Sequence, residues 1–191
     1  MWNGEKKLKI IMLNSDKIKR IVITGPESTG KTELACALAE KLGTLWIPEY
    51  ARHYVENLGY EYGYDDVETI AKYQVAQESE YISRINDGIL FFDTWLIITK
   101  VWFDVVYGKC PKWLPEHIKS SEIDLFLVCA TDLPWIADPV RENGGEKREE
   151  LFQMYIQEIQ KFGFNFEIVR GIGKARLECA LDLLSKHGIK L

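Results

Sequence analysis

The chain holds only 4 cysteines and 3 histidines in 191 residues, and neither set is grouped. Cys36, Cys110, Cys129 and Cys179 form no C-x-x-C pair, so reduced thiols in a cytoplasmic protein are the simplest account. His53, His117 and His187 lie far apart, and the H-x-G-H pair of a nucleotidylyltransferase is absent. There is no basic excess: 24 Lys and Arg stand against 29 Asp and Glu, a net charge of -5, which argues against a nucleic-acid surface. No apolar run approaches the 18 or so residues that span a membrane, and the start MWNGEKKLKIIML lacks a small-residue cleavage site for secretion. Internal repeats and low-complexity tracts are missing too. With 47% hydrophobic and 28% charged residues, the length suits one well-filled core rather than two domains.

What the chain does have is GPESTGKT at 25–32, a match to G-x-x-x-x-G-K-[ST]. It follows the apolar run Ile21, Val22, Ile23 and leads into Leu34, Ala37, Leu38 and Leu42 at helical spacing. Strand before and helix after make it a phosphate-binding loop. Gly25 and Gly30 permit turns that point successive N–H groups at phosphate oxygens, and the helix start adds its positive end. Glu27, Ser28 and Thr29 complete the loop, Lys31 brings charge to the outer phosphates, and the Thr32 hydroxyl is placed to ligate magnesium. A nucleoside triphosphate with Mg2+ is therefore the expected ligand.

The remaining chain reads as strands alternating with helices, an α/β doubly wound parallel sheet of five strands with a lid segment. Residues 1–18 form a polar and basic arm, and 19–191 a single P-loop domain. Strands are expected at 19–24, 45–48, 88–95, 125–130 and 164–169. Helices are expected after the phosphate loop, at 49–59, at 65–87, from Trp95 to Tyr107 as a buried segment apolar almost all round, up to Phe162, and at 173–187. Residues 110–124 read as a proline-punctuated connector, and 131–147 as a mobile lid.

Ligands in such sheets sit beyond the carboxyl ends of the strands. Glu49, at the end of the second strand, is thus a candidate to hold or deprotonate an acceptor hydroxyl; the plainer alternative is a carboxylate at a helix start. Arg52 pairs with Glu49, meets a phosphate or is solvated. Tyr50 and Tyr54 share a helical face, either as core or as a wall for a flat base. Gln74 and Glu78 fall within the apolar stripe of the long helix, facing a wet cleft or each other. Asp93 ends the third strand in FFDT, a position for magnesium or for the base, and Trp95 follows it as an aromatic able to reach the cleft. Arg141 and Arg148 in and beside the lid either fold onto a transferring phosphoryl group, where a guanidinium offsets developing charge, or are the solvated charges of a loop and a helix surface.

The succession GPESTGKT, PEYAR, FFDT, then Trp135, Asp138 and Arg141 resembles the ribosylnicotinamide kinase domain of NadR-type NAD-salvage proteins. The likeness covers roughly residues 20 to 170. It implies ATP-dependent phosphorylation of the 5'-hydroxyl of nicotinamide riboside, with the loop for ATP, Glu49 and Asp93 for magnesium or the acceptor hydroxyl, and Arg141 for the lid. Longer members carry adenylyltransferase and DNA-binding segments for which a chain of this length has no room. A thymidylate- or deoxynucleoside-type kinase remains an alternative, as does a nucleotide-switched binding protein. Against a GTPase switch, DTWL and CATD supply neither D-x-x-G nor N-K-x-D.

Overall fold

The computed structural model describes residues 18–137 and 143–190. The arm at 1–17 and the lid residue Arg141 lie outside the described residues, as does Asp138.

Five strands make one parallel sheet, in the order β2-β3-β1-β4-β5. They are β1 (Ile18–Thr24), β2 (Leu45–Ile47), β3 (Gly88–Asp93), β4 (Leu125–Cys129) and β5 (Phe166–Val169). β1 lies at the centre, with Val22 opposite Phe92 of β3 and Phe126 of β4. Ile21, Val22 and Ile23 are all wholly buried, which is why this strand is an unbroken apolar run.

Successive side chains face opposite ways, so the sheet divides the interior in two. Ile21 and Ile23 pack with Leu34, Leu38, Ala180 and Leu184. These come from α1 (Lys31–Leu42) and α7 (Lys174–Lys186). Val22 points the other way, among Val67, Ala71, Leu96, Leu114, Phe126 and Leu151. That layer is built from α3 (Tyr64–Ile82), α4 (Leu96–Trp102), α5 (Trp113–Ser120) and α6 (Glu146–Lys161), while the short α2 (Tyr50–Glu56) follows β2.

Three elements differ from the sequence reading. The long helix stops at Ile82 rather than 87; Ser83 turns its hydroxyl onto Glu80 O at 2.6 Å, ahead of the turn-forming Asn86, Asp87 and Gly88. The expected connector contains α5, because Pro115 sits in the helix's first turn, where a missing N–H leaves no intrahelical bond unmade. Residues 95–107 are not one buried helix. Regular α geometry ends at Trp102, Phe103–Tyr107 form a π turn, and Val105 and Val106 are exposed. A π turn shifts the register of the side chains after it, which here carries two valines out of the core.

Candidate active site

The phosphate loop begins where β1 ends, at the middle of the sheet. Gly25 takes φ 139°, and a Cβ there would lie 2.7 Å from Cys129 O of β4, so no other residue fits. Gly30 stands at φ 71° ahead of α1. Ser28 adopts the left-handed region without being glycine, at φ 57°. What holds it there is a set of bonds to the opposite wall. Its hydroxyl accepts from Ile136 N–H at 3.0 Å and donates to Pro134 O at 3.3 Å. Glu27 accepts from the Asn143 backbone and side-chain amides at 3.0 and 3.1 Å. Thr29, wholly buried, bonds Pro26 O at 2.8 Å.

Arg148 completes this scaffold. From α6, and only 6% exposed, it donates to Glu27 O at 3.1 Å, Ser28 O at 2.7 Å and Leu133 O at 2.8 Å. The guanidinium fork suits several carbonyls at once. This corrects its sequence reading: Arg148 does not fold onto a phosphoryl group but braces the outer side of the loop. The Glu27 and Ser28 carbonyls are thereby engaged by Arg148.

At the inner side, Lys31 Nζ rests on Pro26 O at 2.9 Å, and Thr32 Oγ donates to Asp93 Oδ2 at 2.5 Å. Asp93 is 2% exposed, and its Oδ1 is buried with no hydrogen-bond partner among the described residues. Burial, then the nearby Glu49 carboxylate, push Asp93 up to about 6, against the opposing pull of Lys31, Thr32 and Arg52. Thr94, directly after it, is left-handed at φ 65° and bonds Ile23 O at 2.9 Å, pinning the end of β3 against β1. No group of three or more His, Cys, Asp or Glu side chains able to hold a metal occurs among the described residues. One hydroxyl and one carboxylate beside a phosphate cradle suit an ion such as magnesium, which keeps waters and takes phosphate oxygens. The unmatched Asp93 oxygen is the observation that fits it.

A cavity of about 770 Å³ opens from the loop, lined by Gly25, Glu27 to Glu33, Glu49, Arg52 and Gln74, and also by Tyr62, Thr99, Trp102, Val106 and Tyr155. Glu49 precedes α2 but makes no side-chain capping bond; its carboxylate belongs to the cleft rather than to the helix start. Arg52 lines the cleft and pairs with Glu56 at 3.2 Å. α2 buries none of its residues and is tethered to α3 through Asp66. That carboxylate accepts from Gly63 N–H at 2.8 Å and from the Tyr54 hydroxyl at 2.9 Å, raising Tyr54 to about 12. Tyr54 is thus a tether.

Three further sequence candidates stand away from the cleft. Tyr50 stacks on Tyr73 with ring centroids 3.7 Å apart, outside the cavity lining. Trp95 is 1% exposed, because the extended backbone before α4 turns its ring inward among Phe126 and Phe164. Its indole N–H donates to Glu78 at 3.3 Å, and Glu78 faces Arg20 at 3.8 Å. Gln74 and Glu78 are one helical turn apart, and that turn separates a cleft residue from a core residue. Burial raises Glu78, partly offset by Arg20 and Trp95. The sequence reading passed over Tyr62, Thr99, Trp102 and Tyr155. Thr99 and Trp102 share a face of α4 at i, i+3 spacing, a pattern that core residues of the helix show equally.

The sequence pattern of the AAA domain matches residues 20–176. The chain belongs to the AAA domain family. This AAA domain is 28% identical over 148 residues to the trifunctional NAD biosynthesis/regulator protein NadR of Salmonella typhimurium, covering 75% of the chain and 36% of that protein. It is also 28% identical over 157 residues to NadR of Escherichia coli, covering 80% and 38%. It spans well under half the length of these curated relatives. Among solved structures, NadR in complex with NAD and AMP-PNP aligns at a TM-score of 0.72 and 25% identity, over 95% of this chain and 53% of that one. NadR in complex with NR aligns at 0.75 and 23%, with the same coverage. A deoxyadenosine kinase from M. mycoides shares the fold, with a TM-score of 0.59 at 16% identity over 87% of this chain and 99% of that one. The architecture is that of the P-loop kinases, and in sequence this AAA domain is similar to the NadR proteins.

Proposed function

We propose that the chain is an ATP-dependent small-molecule kinase that transfers the γ-phosphoryl group to the 5'-hydroxyl of a nucleoside, with nicotinamide riboside as acceptor. The observation that carries this reading is the continuity of the cavity. The phosphate loop shares a single cavity with Glu49, Arg52 and the rings of Tyr62, Trp102 and Tyr155. A switch protein needs only the loop; a kinase needs further space for an acceptor. Relatives named for NAD biosynthesis, and a NadR structure described with NR, support nicotinamide riboside.

In this reading the loop amides and Lys31 hold the β- and γ-phosphates, Lys31 exchanging Pro26 O for phosphate oxygen. Thr32 and Asp93 hold magnesium, which when bound neutralises charge on the triphosphate. Glu49 lies open to the cleft, while Asp93 is occupied by Thr32. Glu49 therefore takes the acceptor hydroxyl and receives its proton as the new O–P bond forms and the bond to the ADP oxygen breaks. Arg52, and Arg141 from the lid, offset the charge on the phosphoryl oxygens. Catalysis is mainly positioning and charge stabilisation, as is usual for this transfer.

ADP release with a panel of nucleosides tests the assignment. Lys31→Ala is expected to lower turnover by about 10³-fold while leaving the far-ultraviolet circular dichroism unchanged, as losing a main phosphate contact costs roughly 4 kcal/mol of transition-state binding. Normal transfer by that variant, or turnover indifferent to every nucleoside, overturns it.

A further inference from the structure

We infer that Gln74, oriented by Thr99, reads the base of the acceptor and admits bases that present a carbonyl oxygen at that edge. The inference rests on the nucleoside-kinase reading above and adds which chemical edge is recognised.

Gln74 is 8% exposed on α3 yet lines the cleft. Its Oε1 accepts from Thr99 Oγ of α4 at 2.8 Å. A threonine within a helix commonly returns its hydroxyl proton to the carbonyl one turn back, as Thr69 does to Asp65 O at 2.8 Å. Thr99, 2% exposed, gives its proton across the helix pair instead. With the oxygen of the amide engaged, the group left to the cleft is the NH2, which only donates. A facing carbonyl, as on a carboxamide or a 4- or 6-oxo ring, satisfies it. An amino group at the same place sets donor against donor, with both partly stripped of water.

The surrounding walls suit a flat ring. Trp102 lies three residues beyond Thr99 on the same face of α4, and Tyr62 meets it edge-on with centroids 4.8 Å apart and planes at 82°. Ile98 lines the same wall, and Val105 and Val106 at the rim are 38% and 51% exposed. A base seated against Trp102 covers this apolar area while its edge reaches Gln74.

The test uses the purified full chain with ATP and magnesium and compares matched acceptors: uridine with cytidine, inosine with adenosine, and nicotinamide riboside with the pyridinium riboside lacking the carboxamide. The carbonyl-bearing member of each pair is expected to lead by at least tenfold in kcat/KM. Gln74→Leu is expected to erase that lead, with the loss in the KM of the acceptor rather than in the KM of ATP. Thr99→Val, which keeps shape but frees the amide to turn over, is expected to shrink the ratio at least threefold, and Thr99→Ser to restore it. Phosphorylation without a carbonyl preference, or a ratio unmoved by Thr99→Val, overturns the inference alone. Absence of transfer to every nucleoside sinks both it and the kinase reading.

Discussion

Asp93 is held at about 6, well above the ordinary 3.8 of an aspartate. An aspartate displaced in this direction binds its proton more tightly folded than unfolded. The folded state therefore loses stability as pH rises from about 4 to about 6, by on the order of 3 kcal/mol in total. Asp93→Asn should recover much of this, since an amide oxygen can still accept from Thr32. Calorimetry at pH 7 is expected to show a higher melting temperature for the variant, together with a loss of phosphoryl transfer of about 10³-fold. In the parent protein, kcat/KM should fall as pH drops through 6, where the carboxylate takes up its proton. Arg148 gives the opposite pattern. Arg148→Met leaves three loop carbonyls without their donor, which should cost about 2–4 kcal/mol in urea titrations and raise the KM for ATP. Lysine, a point donor, should restore only part.

Among the elements, α2 carries Glu49 at its start and Arg52 within it, yet none of its residues is buried. Its attachments include Tyr54 on Asp66 and the stacking of Tyr50 on Tyr73. Few buried contacts mean a low free energy of local opening. In hydrogen exchange, the amides of 51–57 are expected to be less protected than those of α1, and to slow when ATP and acceptor are both bound. Equal slowing by ATP alone would detach α2 from the acceptor side. The same element shows where sequence reading runs out. The loop GPESTGKT and the place of Asp93 at the end of β3 beside Thr32 were legible, because a glycine pattern between strand and helix and an apolar run ending in a carboxylate fix position in the chain. Tyr50 and Trp95 were not, since the direction of an aromatic at a helix start depends on a backbone angle that no spacing encodes. Trp102 and Val106 failed for another reason: an apolar residue facing a cleft and one facing the core make the same periodic pattern. Pro115 marked a connector in sequence and proved to lie in the first turn of α5.

On the scale of the whole molecule, the sheet order was legible only as a class. Alternating strands and helices imply a parallel sheet, but not that β3 lies between β1 and β2. That placement puts Asp93 beside Thr32. No helix among the described residues is long and apolar enough to cross a membrane. The cleft couples to global stability by mass action. ATP with magnesium at about a hundred times its Kd should add roughly 2.7 kcal/mol. For a domain of this size that is a rise of about 5–10 °C in melting temperature. Lys31→Ala should show little of it.

The bracing of Ser28 and Glu27 from Pro134, Ile136, Asn143 and Arg148 has a kinetic corollary. A cradle already shaped when the polypeptide folds asks no ordering of an arriving triphosphate, so the entropy of arranging those amides is lost at synthesis and not at each turnover. Stopped-flow mixing with a fluorescent ATP analogue should then give a single exponential whose rate climbs linearly with ligand. A plateau at high concentration would reveal a slow rearrangement ahead of capture.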